Sequence, residues 1–219
     1  MWYFPIVTRL IRMFKSFENV KNLRWHAIDR KVIGIMRHPA DTPSWRLVDQ
    51  MWPTFGSEPR NLRLGLSTDG INPFGDLSSN YSCWLVITTI YNFPPWLCMR
   101  RKHLMLIMSI SSPKQPGYDI NTYLAPLIDD LKILWKDGVR RFDAYKEEYF
   151  TLRVILLWNI NDFPAYGNSC GCSVKDFKAC PICRKETTSI RLQHEKKCIH
   201  GTQEIFDNTT SIQNIKKEF

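Results

Sequence analysis

Apolar and polar positions change period several times along the chain, and each change marks an element. From roughly Val7 to Arg24, Leu, Ile, Met and Phe alternate with Arg and Lys at helical spacing, which predicts a basic amphipathic helix. Proline-rich connections follow through HPADTPSW and MWPTFGSEPR. Alternation then predicts strands over Leu62–Thr68, Trp84–Tyr91 and Leu104–Ser109, with NFPPWL turning the chain between the last two. After SSPKQPG, the positions Tyr123, Leu124, Leu127, Ile128, Leu131, Leu134 and Trp135 recur at three- and four-residue intervals, predicting a helix over Ile120–Asp137. Asp119 is placed to cap its start and Gly138 to close its end. LRVILLWNI, Leu152 to Ile160, is almost unbroken in apolar residues, as a strand buried on both faces should be.

This order, strand, strand, strand, helix, strand, predicts an α/β class with a ribonuclease H-like mixed sheet. In that topology the first and fourth strands lie side by side at the sheet centre. Both run into an aspartate, Asp69 in LGLSTDGINPFG and Asp162 in NDFPAYG. Either residue alone reads as a turn aspartate. Brought together by the topology, they form a carboxylate pair suited to Mg²⁺ or Mn²⁺, hard cations that prefer oxygen ligands and retain water and substrate phosphates. Two such ions activate the attacking and stabilise the leaving oxygen of a phosphodiester. Asp76, Asp119, Asp129 and Asp130 read as loop, cap and solvated helix face.

Composition narrows the classes. With 44% apolar and 13% aromatic residues the chain can bury a core, which excludes a disordered composition. No apolar run reaches the roughly 18 residues of a membrane span, so no membrane partner is expected, and the opening MWYFPIVTRLIRMF lacks a secretory signature. The net charge of +9 is concentrated at the two ends. A polyanionic partner such as DNA accounts for it, as do solvated cationic faces; Arg9, Arg12, Lys15, Lys21 and Arg24 are the candidate DNA-binding set. Of the seven cysteines, Cys180, Cys183 and Cys198, with His194 and His200, can supply tetrahedral ligands to a structural Zn²⁺, the last ligand being Cys198 or His200. Cys170 and Cys172 read as free thiols, and Cys83 and Cys98 as small buried hydrophobes. His26 reads as a packed histidine, and Phe93 and Trp96 as hairpin packing. The chain divides into a basic helical segment (1–60), a partial core (61–169) and a Cys/His-rich tail (170–219).

RHPADTPSW, EPRNLRLGLSTDGINPFG, YNFPPWLCM, PGYDINTYLAPLIDDLKILWKDGV, WNINDFPAYG and ACPIC together resemble the transposases of plant CACTA (En/Spm-type) DNA transposons, over roughly residues 2 to 198. The resemblance implies a ribonuclease H-like nuclease and strand transferase of DDE type, acting in the nucleus on terminal inverted repeats; self-association is a further partner reading, with the oligomeric state left open. It implies Asp69 and Asp162 as the first two metal-binding carboxylates, followed by a zinc-binding insertion. Two features depart from the pattern. The insertion runs CIHGTQEIF where the family continues to a GH-type segment, and none of Glu186, Glu195 and Glu204 lies in an apolar-periodic helix that would present a third carboxylate. The chain therefore reads as shortened at both ends, binding DNA without cutting it; the alternatives are a non-catalytic DNA-binding derivative or a zinc-stabilised interaction module.

Overall fold

The three strands expected from alternation and the one expected from the apolar run lie in one mixed sheet. The computed structural model describes residues 1–72, 82–112 and 120–161, together with the backbone of 188–191 and 197–200. A short strand, β1 (Trp2–Tyr3), precedes helices α1 (Ile6–Met13), α2 (Phe17–Leu23) and α3 (Trp25–Ile28). A 3-10 turn at Pro39–Asp41 leads into α4 (Pro43–Met51) and α5 (Pro53–Gly56). The chain continues as β2 (Leu62–Ile71), β3 (Ser82–Ile90), α6 (Pro95–Cys98), β4 (Met105–Ser112) and α7 (Ile120–Lys136). The hairpin of β5 (Val139–Asp143) and β6 (Glu148–Leu152) then precedes β7 (Val154–Asn161), and β8 (Thr188–Arg191) pairs with β9 (Lys197–His200). The main sheet runs β1-β4-β3-β2-β7, antiparallel except for the parallel pair β2–β7.

Several expectations need correction. The segment expected as one helix over Val7–Arg24 is two, because the Ser16 hydroxyl accepts the Asn19 N–H at 3.4 Å and starts α2 afresh. Its basic residues consequently do not share one helical face. β2 continues to Ile71, so Asp69 lies within the strand, opposite Leu85 of β3, and does not end it. Leu152 closes β6; the Arg153 N–H turns to the Asn61 side chain at 2.8 Å, and β7 begins one residue later. Among the described residues β7 is a margin of the sheet rather than its centre. The end of α7 is as expected: Gly138 takes φ +70° and its N–H donates to the Ile133 carbonyl at 3.0 Å. Asp119 lies outside the described residues.

Three polar residues of the EPRN and YN motifs fasten the sheet at the entry to β2. Asn61 receives the Arg153 N–H before β7 and donates to the Phe55 carbonyl at 3.0 Å. Asn92, just past β3, accepts the Arg63 N–H at 2.8 Å and donates to the Asn61 carbonyl at 2.9 Å. Buried amides with every strong group partnered hold three chain segments in register, since leaving one unpaired costs about 1–3 kcal/mol. Arg60 lies over the Phe150 ring at 4.0 Å and pairs with Glu58 at 2.6 Å, Glu148 at 2.8 Å and the buried Asp143 at 3.0 Å. It thereby ties the β5–β6 hairpin to the sheet.

The segment before β2 forms a covering layer. Arg63, only 1% exposed, sits over Trp45 at 4.1 Å and Phe55 at 4.9 Å and pairs with Asp49. Burial lowers its pKa from the ordinary arginine value, partly offset by Asp49. Next to this cage, His26 is packed as expected: it lies against Trp45 at 5.1 Å and its Nδ1 meets the Leu23 carbonyl at 3.0 Å. His38 donates through Nε2 to the Phe93 carbonyl at 3.0 Å and accepts the Ala40 N–H at 3.1 Å, which fixes it as the neutral tautomer. Cys98 is buried, as its reading as a small hydrophobe requires, whereas Cys83 is half-buried beside the Ser109 hydroxyl at 3.2 Å.

Gly65 marks the closest approach within the sheet. A β-bulge separates Leu64 from Gly65 in the pairing with β7, and the Tyr91 ring, packed on Trp158 at 5.3 Å, crosses Gly65 there. A Cβ at this position would stand 2.6 Å from Tyr91 Cζ. Gly65→Ala is expected to destabilise the fold by about 1–3 kcal/mol through overpacking, and adding Tyr91→Leu should recover part of that loss. Urea unfolding midpoints of the single and double variants check this.

A second expectation concerns acid. Burial, then the charge of Arg63, push the His26 pKa down to about 3. The unfolded chain, with an ordinary imidazole, takes up the proton first as pH falls below about 6.5. Stability is therefore full above that pH and declines toward the folded pKa, by up to about 1.4 kcal/mol per pH unit from this group. His26→Phe, which keeps a ring against Trp45, should flatten the loss of stability between pH 6.5 and 5 measured by urea titration.

Candidate functional site

Two regions of the fold carry the residues singled out by sequence. The first is the common end of β2 and β7. From Leu62 to Leu66 every residue of β2 is buried, Arg63 and Gly65 included; beyond Thr68 the strand emerges, and Asp69 is exposed. The parallel register runs from Leu62 opposite Val154 to Thr68 opposite Asn161. Neighbouring strands lie about 4.8 Å apart, so the backbone leaving β7 at Asn161 is one residue short of the level of Asp69. Asp162 is the next residue in the chain and lies outside the described residues. The described part of this end thus contributes one accessible carboxylate, a hard oxygen donor of the kind a divalent cation takes. Among the described residues no group of three His, Cys, Asp or Glu side chains converges as a metal site.

Cys180, Cys183 and His194 also lie outside the described residues. Cys198 and His200 are on β9, where their backbones pair with Ile190 and Thr188 of β8.

The second region is basic and is assembled from distant parts of the sequence. Arg9 on α1 is half-buried and donates from Nη1 to the Leu106 carbonyl of β4, so the helix is pinned against the sheet edge. Burial lowers the Arg9 pKa, yet a guanidinium starts so high that it stays charged. Arg9 and Arg12 line a surface basin of about 440 Å³ with Asn19, Lys102 and His103, together with Met13 and Met105. Among the described residues no acidic side chain lines it. Lys15 and Lys21 are exposed away from this lining, and Arg24 lies over the Tyr145 ring at 5.3 Å. The five expected basic residues therefore divide: two share the basin and three do not. Lys102 and His103 were not among the sequence candidates, although the run Arg100-Arg101-Lys102-His103 was the signal for them.

A model of the transposase family tnp2 matches residues 33–219, most of the chain, and the protein belongs to that family. Comparison with curated proteins finds no match. Comparison with solved structures finds none either. The family carries a general expectation of DNA binding, and no described helix is long and apolar enough to cross a membrane.

Proposed function

We propose that this chain is the ribonuclease H-like core of a DDE-type transposase of the CACTA class, which engages the terminal repeats of its element in the nucleus. One observation carries the reading: β2 and β7 are adjacent and parallel, and their register reaches Thr68 opposite Asn161, with an aspartate following each. The order β4-β3-β2-β7, with only the last pair parallel, supports the same fold. In this reading Asp69 and Asp162 hold Mg²⁺ or Mn²⁺, and the exposure of Asp69 leaves room for a phosphodiester beside it. When bound, such an ion supplies charge stabilisation and an activated oxygen nucleophile. The protein's own contribution is to fix the Asp69 carboxylate on a rigid strand, since β2 is held by β3 on its other side and by Asn61 and Asn92 at its entry. Cys180, Cys183, His194 and either Cys198 or His200 form, in the same reading, a structural Zn²⁺ knuckle, for which thiolate and imidazole donors are suited.

Glu186, Glu195 and Glu204, the available third acids, lie outside the described residues, and none is assigned. On two carboxylates alone the chain is expected to bind Mn²⁺ and DNA while cleaving poorly, at least about 10²–10³ below a complete site. The test has two readouts. Mn²⁺ affinity should fall at least tenfold in Asp69→Asn and in Asp162→Asn; unchanged affinity in both would overturn the site. Nicking of a terminal-repeat duplex in Mn²⁺ should be at background; robust nicking abolished by Asp69→Asn would show that a third carboxylate is in place and that the chain cuts. Metal analysis of the purified chain should find one zinc, lost in Cys180→Ser.

A further inference from the structure

The basic basin is not part of the Asp69 end of the sheet. Met105, on its lining, pairs with Thr88 of β3, and Thr88 pairs with Leu66 of β2, three residues before Asp69 and two strands away. Strand rise and spacing separate the two places by roughly 10 Å along the strands and a similar distance across them. The lining residues come from both sides of the family boundary: Arg9 and Arg12 precede the matched residues, whereas Lys102 and His103 fall within them.

Three features make the basin more than a solvated cationic face. Arg9 is held by the Leu106 carbonyl, so one guanidinium is already in place and loses little freedom when a ligand arrives. His103 is likewise fixed, with Nδ1 at 2.9 Å from the Leu97 carbonyl and its ring stacked on Phe93 at 4.5 Å. Arg12 and Lys102 are exposed and face the basin with no carboxylate among the described lining residues to neutralise them, and Arg100 and Arg101 extend the positive charge along the chain. Such a concavity concentrates anions.

We infer that this basin is an anchoring site for the phosphate backbone of DNA, apart from the carboxylate end, with Arg12 and Lys102 as its principal phosphate contacts and Arg9 as the residue that fixes its shape. The inference rests on DNA being the chain's partner, and it adds a place on the surface that holds DNA independently of metal. Contacts to phosphate alone carry no base readout, so the site is sequence-independent and strongly salt-dependent.

The test uses the full chain and a 20-base-pair duplex of arbitrary sequence in EDTA, read by fluorescence anisotropy over a range of NaCl concentrations. The double variant Arg12→Ala/Lys102→Ala removes two exposed side chains and leaves Arg9 and the core intact. Affinity should fall on the order of tenfold, and the slope of log affinity against log salt should shallow by nearly 2, about 0.9 for each phosphate that is no longer neutralised. Lys132→Ala/Lys136→Ala on α7 removes the same charge elsewhere and should change both far less. Equal losses in the two pairs, or an unchanged slope in the first, would overturn the inference. So would loss of binding to anionic lipid vesicles with DNA binding retained, which would assign the basin to a membrane surface. The carboxylate site is read by Mn²⁺ affinity without DNA and the basin by DNA affinity in EDTA, so failure of the carboxylate site and failure of the basin give different results.

Discussion

Everything that gives this fold a candidate chemistry follows from the parallel pairing of β2 with β7. Parallel neighbours cannot be joined by a tight turn, and the crossover here contains β3, β4, α7 and the β5–β6 hairpin. Only parallel neighbours bring the C-terminal ends of two strands side by side. Had β7 entered antiparallel, Asn161 would lie near Leu62 and Asp69 would be an isolated surface carboxylate. The entry of the pair is where the structure invests its buried polar contacts. Asn61 and Asn92 tie the chain before β7, the start of β2 and the end of β3 together, so the register set there is carried to the open end.

The layer over β2 explains why much of the family segment is not chemical. RHPADTPSW places Asp41 to accept the His38 and Arg37 N–H groups at 3.0 Å and to pair with Arg30. It also sets His38 on the Phe93 carbonyl, within the YNFPPWLCM segment. These residues shape the cover of the sheet around Arg63 and Trp45. The N-terminal segment adds a further strand and helix to the opposite margin. There Tyr3 donates to Asp130 of α7 at 2.5 Å, and Arg9 donates to β4. The basic surface is consequently built on the same frame as the carboxylate end but at a different edge.

The sequence was most legible where one period persisted. Alternation located β2, β3 and β4 to within a few residues, and the helical recurrence of Leu127, Leu131 and Leu134 located α7, whose buried side those residues form. It failed where local polar chemistry overrides period. Ser16 interrupts a segment whose apolar spacing reads as one helix, and Arg153 interrupts a run of apolar residues that reads as one strand. Arg63 stands at a position that alternation would give to solvent, and only the α4–α5 cover, contributed by residues before β2, makes it a buried cation among Trp45 and Phe55. For the candidate site, Asp69 was legible as an exposed carboxylate near the end of the first core strand, although the strand runs on past it to Ile71. The basin was not, because spacing within residues 7–24 cannot report that Arg12 and Lys102 line one concavity.

The central claim is geometric, that Asp69 and Asp162 stand side by side, and a cross-link measures it most directly. Neighbouring strands place paired Cα atoms within the range of about 4.4–6.8 Å that a disulfide spans. The chain carrying Asp69→Cys and Asp162→Cys, oxidised under mild conditions, digested and analysed by mass spectrometry, should yield a peptide pair joined through these two positions. Asp69→Cys combined with Asp137→Cys, beyond the far end of α7, should not form the corresponding pair. If positions 69 and 162 fail to join while the protein remains folded, the two aspartates do not share an end of the sheet, and the reading of this chain as a carboxylate-metal transposase core is wrong.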